Sequence, residues 1–566
     1  MKKTIFTALL LAIFCLSGYA QSMRMSEGTK KVANTMALIE NFYVDEVDDK
    51  KLSEDVIKAT LEKLDPHSSY ISAEDIKEME EPLQGNFDGI GIMFNMMTDT
   101  LYVIETVSGG PSQKVGILPG DRIIMVNDTV IAGVKMSNKN IMSRLKGPKG
   151  TSVNVKVMRR GVPDLISFKI VRDKIPIYSL DAAYMVASEV GYIRLSRFGA
   201  TTTAEFMEAC GKLKKEGMKN LILDLESNGG GYLTAAIEIA NQFLDKKQLI
   251  VYTEGTKQSR QVAEANSRGA LTDGKLVILI NEASASASEI VSGAVQDWDR
   301  GVIVGRRSFG KGLVQRPFRL HDNSEIRLTV ARYYTPTGRS IQKPYENGKP
   351  ESYARDVIDR YNKGEMMSAD SIHFPDSLKY KTLVNERTVY GGGGIMPDYF
   401  VPIDTSRYSA YHNKLIYSGA IYKVSMDEVD KNRKQLLAKY PTVEEFDAKY
   451  VVSDEMFAKL DKEMKLEIKD TTSVASEQIS STGLQHNEAE KEKTEIKKKD
   501  EESDKEGLER SKTLIEAQLK SLIARDLYEN AAYYKIMNKE NNIYKKGIEI
   551  ITDENLYNEL LQKGRE

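Results

Sequence analysis

The sequence predicts a multidomain α+β chain built around an α/β core, and three observations carry that prediction. At 566 residues the chain is longer than a single hydrophobic core usually organises. Between residues 172 and 405, apolar runs of strand length alternate with stretches of helical spacing, the pattern of a sheet with helices packed on it. On either side the periodicity changes: strand patterns dominate 85–171, and helical spacing dominates 25–80 and the residues beyond 405.

The amino terminus reads as an export signal over 1–20. Lys2 and Lys3 precede an apolar stretch from Ile5 to Leu16, and Ser17-Gly18-Tyr19-Ala20 ends in small residues suited to cleavage before Gln21. The stretch is short for a membrane span, which needs about 20 apolar residues, and bulky Phe14 before Cys15 is a poor context for lipid attachment. The expectation is an exported protein with no stable membrane span. Of its 2 cysteines, only Cys210 survives signal removal, so no intramolecular disulfide can form.

Residues 25–80 form an expected amino-terminal helical region, with Val32, Met36, Ile39 and Phe42 at helical spacing. The segment 85–171 is strand-rich, with a short helix near Ser137 to Leu145. In the core, 172–405, expected strands are Gly191–Leu195, Leu221–Leu225, Leu249–Thr253, Leu276–Ile280 and Val302–Val304, read as short and parallel. Helices are expected near 202–216, 233–244 and 287–298, and a long strand from Glu325 to Tyr334. Beyond the core, 406–469 reads as a helical extension. Residues 470–506 mix both charges with almost no apolar residue, as expected of a flexible linker or an exposed charged helix. The region 507–566 carries Leu514, Leu519, Leu522, Ile523 and Leu527 at helical spacing. It packs as a subdomain, docks on the core, or serves an adaptor or self-association.

Chemistry concentrates between Asn281 and Gln315. The strand Leu276–Ile280 ends in a turn holding Ser284, Ser286 and Ser288, then a helix begins. A further short strand opens into Ser308-Phe309-Gly310-Lys311-Gly312. A serine hydroxyl needs a base, and a lysine acts as one only when neutral. Bringing its pKa from about 10.4 to about 7–8 costs roughly 4 kcal/mol, which burial can supply. Phe309, Leu313 and Val314 offer the apolar wall. Spacing does not choose among the three serines, and Ser286-Ala287-Ser288-Glu289 also fits a capping box, a purely structural role.

Upstream, Asp224-Leu225-Glu226-Ser227-Asn228-Gly229-Gly230-Gly231 follows an apolar strand. Its glycines allow backbone amides to face a cleft, as an oxyanion hole requires, where one aimed donor is worth roughly 3–4 kcal/mol. A phosphate loop is disfavoured because neither GxxxxGK[ST] nor GxGxxG occurs. The 5 histidines, His67, His321, His373, His412 and His486, form no recognisable triad and lack metal-ligand spacing. The net charge of −2 gives no global attraction to nucleic acid.

SASASEI followed by SFGKGLVQ, with DLxxNGGG upstream, resembles the carboxyl-terminal processing peptidases, also called tail-specific serine proteases. DPHSSY at Asp65–Tyr70, GILPGDRI at Gly116–Ile123, GPKGT at Gly147–Thr151, RYYTPTGRSIQ at Arg332–Gln342 and GGIMPD at Gly393–Asp398 extend the resemblance over about 30–405. It implies a fold related to the crotonase and Clp protease cores for 172–405. It also implies Ser286 as nucleophile, Lys311 as general base, Gln315 as its orienting partner, and an oxyanion hole from Ala287 and an amide of Gly229 or Gly230. One departure is visible: Glu226 stands where the family usually has arginine.

Phe87-Asp88-Gly89-Ile90-Gly91-Ile92, with GILPGDRI, resembles a PDZ domain inserted at 85–171. Such a domain adds a peptide as an extra strand and holds its carboxylate on loop amides. Gly89 and Gly91 would permit the loop, and Ile90, Ile92, Ile141 and Leu145 would line the side-chain pocket; these isoleucines and the leucine also read as ordinary core. The resemblance implies a serine endopeptidase of the bacterial periplasm or cell envelope. It would cleave proteins with unstructured C-terminal tails through an acyl-enzyme, without metal or organic cofactor. The alternative is a non-catalytic PDZ scaffold that only binds tails.

Overall fold

The structure, a computed structural model, describes residues 26–97, 99–266, 269–476 and 489–562. The expected signal at 1–20 and part of the charged segment at 470–506 lie outside the described residues. Two helices, α1 (Glu27–Phe42) and α2 (Asp49–Glu62), come first, each begun by a side-chain cap: Ser26 accepts from the Thr29 amide at 3.2 Å and Asp48 from the Lys51 amide at 3.0 Å. A short strand, β1 (Ser69–Ile71), and α3 (Ala73–Gln84) follow, and Gly85 at φ 75° ends the helix.

The chain then passes through β2 (Asn86–Gly89) into a six-stranded antiparallel sheet. Its strands are β3 (Ile92–Met97), β4 (Thr100–Thr106), β5 (Arg122–Val126), β6 (Thr129–Val130), β7 (Ser152–Met158) and β8 (Ile166–Val171), in the order β3-β4-β5-β7-β8 with β6 on β5. Helices α4 (Pro111–Val115) and α5 (Asn138–Leu145) interrupt it. β7 alternates exposed and buried residues along its length, the signature of a sheet with one face on a core. The chain leaves through β9 (Asp173–Pro176), which pairs antiparallel with β2, Phe87 opposite Ile175.

The largest core surrounds a second six-stranded sheet, ordered β10-β11-β12-β15-β16-β21. β10 (Leu180–Ala187) and β11 (Val190–Leu195) form an antiparallel pair; β11, α6 (Thr202–Lys215) and β12 (Asn220–Asp224) make a parallel crossover. After α7 (Leu233–Ala240), β13 (Leu249–Gly255) and β14 (Gln258–Glu264) turn away as a hairpin. β15 (Leu276–Ile280) returns to the parallel sheet, α8 (Ala287–Asp297) crosses over, and β16 (Val302–Gly305) lies beside β15. β17 (Leu313–Arg319) and β18 (Glu325–Tyr334) form an antiparallel hairpin, with His321 in its turn. β18 joins β1 and β13 in a separate five-stranded sheet. Thus Leu249–Thr253 is a strand as expected but belongs to this antiparallel sheet. Its pairing with β14 and β18 depends on contacts distant in sequence, which local apolar runs do not reveal. Helix α9 (Pro350–Asn362), the two-stranded ribbon β19 (Lys379–Lys381) and β20 (Thr388–Tyr390), and edge strand β21 (Tyr399–Phe400) complete this part.

Parallel strands read as continuous apolar runs because both faces of the sheet are covered. Leu221, Leu223, Ile278 and Ile280 face α6, α7 and α8. Ile222, Val277, Leu279 and Val304 face the other way, against Ile543, Tyr544, Ile550 and Ile551. Those partners come from the carboxyl end: α10 (Ala410–Tyr417), α11 (Ala420–Lys439), α12 (Val443–Lys449), α13 (Asp454–Ser476), α14 (Ala489–Leu527), α15 (Asn530–Met537), α16 (Asn542–Thr552) and α17 (Glu554–Gln562). Helices α10 to α15 share their own apolar core, in which Leu519 and Ile523 are buried. Helices α16 and α17 roof the parallel sheet on this face. The stripe considered for self-association is therefore spent inside the chain, and 489–506 is the start of the long helix α14. No described helix is long and apolar enough to cross a membrane.

Candidate active site

Three strand ends converge at one edge of the parallel sheet: the C-terminal ends of β12, β15 and β16. Beyond β15, the three serines separate by role. Ser284 is buried, donates to the Leu225 carbonyl at 2.8 Å and accepts from the Asn281 amide at 2.9 Å. Ser288 is buried and donates to the Asn228 carbonyl at 2.8 Å. Both tie the turn to the glycine segment. Ser286 between them is half-exposed and sits at φ 55°, ψ −110°, a conformation costing a non-glycine residue about 1–3 kcal/mol. The strain turns its side chain out at the start of α8. The Ser286 amide donates to Glu289 Oε2 at 2.7 Å, the carboxylate half of a capping box. The Glu289 amide bonds the Ser286 carbonyl at 2.9 Å and also faces the Ser286 side chain, which completes the capping box at the start of α8.

The glycine segment lies directly against this turn. A Cβ on Gly230 would stand 2.8 Å from Ser286 Cβ, 2.9 Å from the Ala285 carbonyl and 3.0 Å from the Ala287 nitrogen. Only glycine keeps that space open, and φ 101° favours it independently. Ala287 is the first residue of α8, so its amide is one of the orphan donors of a helix start. The two candidate glycine amides differ: Gly230 N–H donates to Asn228 Oδ1 at 2.9 Å, whereas Gly229 is exposed and its amide has no acceptor among the described residues. Asn228 anchors the whole loop. Its carbonyl also accepts from the Ala285 amide at 3.0 Å, and its Nδ2 donates to the Leu195 carbonyl at 2.8 Å.

The lysine loop follows β16 and is fastened to the serine turn by one buried carboxylate. Glu289 Oε1 accepts from Ser308 Oγ at 2.5 Å and the Gly310 amide at 2.7 Å; Oε2 accepts from the Lys311 amide at 2.9 Å as well as from Ser286. Burial pushes the Glu289 carboxyl up to about 7, against the pull of these four donors. The buried Tyr333 hydroxyl lies between the carbonyl oxygens of Ser286, at 3.1 Å, and Lys311. Arg360 of α9 holds the far side of the loop through the carbonyls of Ser308 at 3.0 Å and Arg307 at 2.7 Å. Sequence reading saw Glu289 only as a cap and missed Tyr333 and Arg360.

Lys311 is half-buried, and its pKa is lowered first by desolvation; the Glu289 and Asp65 charges oppose the shift and Arg327 adds to it. Its Nζ has no hydrogen-bond or ion-pair partner among the described residues. Gln315 is not bonded to it: Gln315 Nε2 donates to Thr329 Oγ1 at 3.2 Å, and Thr329 Oγ1 donates to Asp65 Oδ1 at 2.9 Å. Asp65 also accepts from the His67 and Ser68 amides at 2.8 and 2.9 Å, so the amino-terminal region reaches into this neighbourhood. His67, bonded to the Tyr353 hydroxyl at 2.9 Å, is pushed down to about 4 by burial and then by the Lys311 charge. Cys210 is buried in α6, its thiol pushed up to about 12 by burial, which rules it out as a thiolate at neutral pH.

A part-exposed serine beside a glycine-lined space, and a desolvated lysine on a loop tied to the serine turn through Glu289, are parts that acyl transfer needs, although Ser286 Oγ and Lys311 Nζ share no hydrogen bond in this structure. Residues 189–348 match the model of peptidase family S41 and 89–170 that of the PDZ domain. Residues 16–75 match the activating protease CtpB N-terminal domain, and 411–482 a family of unknown function. A carboxy-terminal-processing protease of Bartonella bacilliformis is 40% identical over 305 residues, covering 53% of this chain and 69% of the relative. The chain belongs to the carboxy-terminal processing protease family. Carboxy-terminal processing protease CtpA of Bacillus subtilis is 33% identical over 336 residues, 59% of this chain and 70% of its own. The solved photosystem II D1 C-terminal processing protease is 28% identical, aligned over 56% of this chain and 91% of that one, with a TM-score of 0.32.

Within this processing protease, the PDZ residues behave differently from their expected roles. Ile90, Ile141 and Leu145 are 3%, 0% and 3% exposed, packed in the domain's own core with Leu101 and Val155. Buried in this way they present no open side-chain pocket, whereas Ile92 is partly exposed. Gly91 sits at φ 71°, and Gly89 pairs with Asp173 in the β2–β9 ribbon. Among the described residues, strand β3 is an edge, paired only with β4. Asp430 of α11 meets Arg122 at 3.4 Å and Arg160 at 3.2 Å, joining the PDZ domain to the carboxyl-terminal helices.

Proposed function

We propose that this chain is an exported serine endopeptidase of the bacterial cell envelope that cleaves proteins bearing unstructured C-terminal tails. The PDZ domain, inserted within 85–171, adds the tail along the free edge of β3, with loop amides at Gly89–Ile92 receiving the carboxylate. Segment 172–405 acts as the catalytic core, with a crotonase- and Clp-like fold, and the signal at 1–20 directs export.

In this reading Ser286 Oγ attacks a peptide carbonyl while neutral Lys311 accepts its proton. The C–N bond then breaks as protonated Lys311 returns the proton to the leaving amine, and water resolves the acyl-enzyme. Ala287 and Gly229 amides stabilise the oxyanion, since the Gly230 amide is already bonded to Asn228. Gln315 Nε2 is held by Thr329, which leaves its Oε1 to orient the Lys311 ammonium once formed. The observation that carries the reading is a desolvated Lys311 amine with no carboxylate paired to it, on a loop fastened to Ser286 through Glu289.

Lys311→Ala tests it. Cleavage of a substrate with a disordered tail should stop, while tail binding, measured by titration calorimetry, stays within about twofold. Full cleavage by Lys311→Ala removes the base assignment.

A further inference from the structure

Glu226 stands where the family usually has arginine, and its side chain is 7% exposed. Its backbone is fixed at both ends: the Glu226 amide donates to Asp224 Oδ1 at 2.8 Å, and its carbonyl accepts from Arg194 Nη2 at 2.9 Å. Arg194 also meets Asp224 Oδ2 at 2.5 Å, so the cation that neutralises Asp224 comes from β11. The Glu226 side chain turns the other way and accepts at Oε1 from Asn541 Nδ2 at 2.7 Å.

Asn541 has two occupied ends. Its Oδ1 caps α16, accepting from the amides of Ile543 at 2.9 Å and Tyr544 at 3.3 Å, which leaves Nδ2 directed at Glu226. Helix α16 is seated firmly on the sheet: a Cβ on Gly547 would stand 2.8 Å from Leu279 Cδ2, and the Tyr557 hydroxyl in α17 accepts from the Leu276 amide at 3.0 Å. A rigid support thus reaches Glu226, the second residue after β12 and the one immediately before the Ser227–Gly231 loop. Burial, and then the Asp224 charge, push the Glu226 carboxyl up to about 8, so near neutrality it is an uncharged acceptor, which a glutamine amide reproduces.

We propose that Asn541 is a positioning residue for the glycine segment, so that the carboxyl-terminal helices complete the oxyanion-side wall of the catalytic site within the same chain. The inference rests on the Ser286–Lys311 reading. With Glu226 held at backbone and side chain, the Gly229 amide and the opening over Gly230 keep a fixed distance from Ser286. A contact of this kind stabilises the transition state without touching bound substrate.

The experiment uses the full mature chain, a tail-bearing substrate, separate kcat and KM, and thermal melting as a fold control. Asn541→Ser keeps a capping oxygen but withdraws the reach to Glu226; Glu226→Met removes the acceptor at similar length. Each should lower kcat about tenfold with KM within about twofold, and the double variant should be no slower than either single, because both break one contact. Glu226→Gln, which retains the acceptor, should keep wild-type kcat. Wild-type kcat in the two single variants overturns the proposal, as does a double variant whose losses multiply to about a hundredfold. If Asn541→Ser does not fold, Glu226→Met and Glu226→Gln decide it: lost kcat in the first alone supports the proposal, and equal kcat in both overturns it. Ser286→Ala run in parallel separates the premises, since cleavage surviving there refutes the dyad reading whatever Asn541 does.

Discussion

Replacing Glu289 by glutamine should disable the enzyme without altering either proposed reacting group. The carboxylate accepts four hydrogen bonds, from Ser308 Oγ and the Gly310 amide on Oε1 and from the Ser286 and Lys311 amides on Oε2. A glutamine amide can serve only one of those pairs as an acceptor. Its less costly orientation sets the NH2 toward Ser308 and Gly310, where the serine hydroxyl can turn to accept but the Gly310 amide is left facing a donor. An unsatisfied buried amide costs about 1–3 kcal/mol, and hydrogen bonds to a charged group are worth about 1.5–3 kcal/mol each. Relief from burying a charge offsets part of this, leaving a net of about 3 kcal/mol borne by the joint between the serine turn and the lysine loop. If that joint sets catalytic alignment, kcat/KM on a tail-bearing peptide falls roughly a hundredfold. The melting temperature drops by a few degrees at most, because the surrounding core is intact. An activity within threefold of wild type would refute the claim that Glu289 aligns the two loops.

Two further outcomes follow from the same geometry. Because burial lowers the Lys311 pKa and the base acts when neutral, kcat/KM should rise with pH and level off below 10.5, the ordinary value for a lysine amine; a rise that begins only at or above that value contradicts the desolvated-base reading. Gly230→Ala places a methyl 2.8 Å from Ser286 Cβ and 3.0 Å from the Ala287 nitrogen, at φ 101°. It should lower kcat at least tenfold in a steady-state assay, and unchanged kcat would mean that the space over Ser286 is not used.

Much of the core was legible because burial on both faces writes itself into the sequence. Leu276–Ile280 and Val302–Gly305 are apolar at every position, and the breaks after them are where the serine turn and the lysine loop begin. The choice among three alternating serines was not legible. It depends on which hydroxyls are satisfied by Leu225 and Asn228, residues that sequence separates widely from the turn. The same holds for Glu289. Its place three residues after Ser286 marks a cap, while its contacts with Gly310 and Lys311 arise only once β16 lies beside β15. The amino-terminal DPHSSY stretch carries a family signature, yet nothing local says that Asp65 accepts from Thr329 of β18. The carboxyl-terminal helices showed amphipathic spacing, which reveals an apolar face but not the face of β12, β15 and β16 that it covers.

In the proposed mechanism Ser286 carries the acyl group. Rapid acid quenching of the wild-type enzyme with a tail-bearing substrate, followed by proteolytic mapping by mass spectrometry, tests it most directly. A mass increment equal to the acyl fragment is expected on the peptide spanning Leu276–Arg300, localised to Ser286 and absent from Ser286→Ala and Lys311→Ala. An acyl adduct on another residue, or undiminished cleavage by Ser286→Ala, would contradict it.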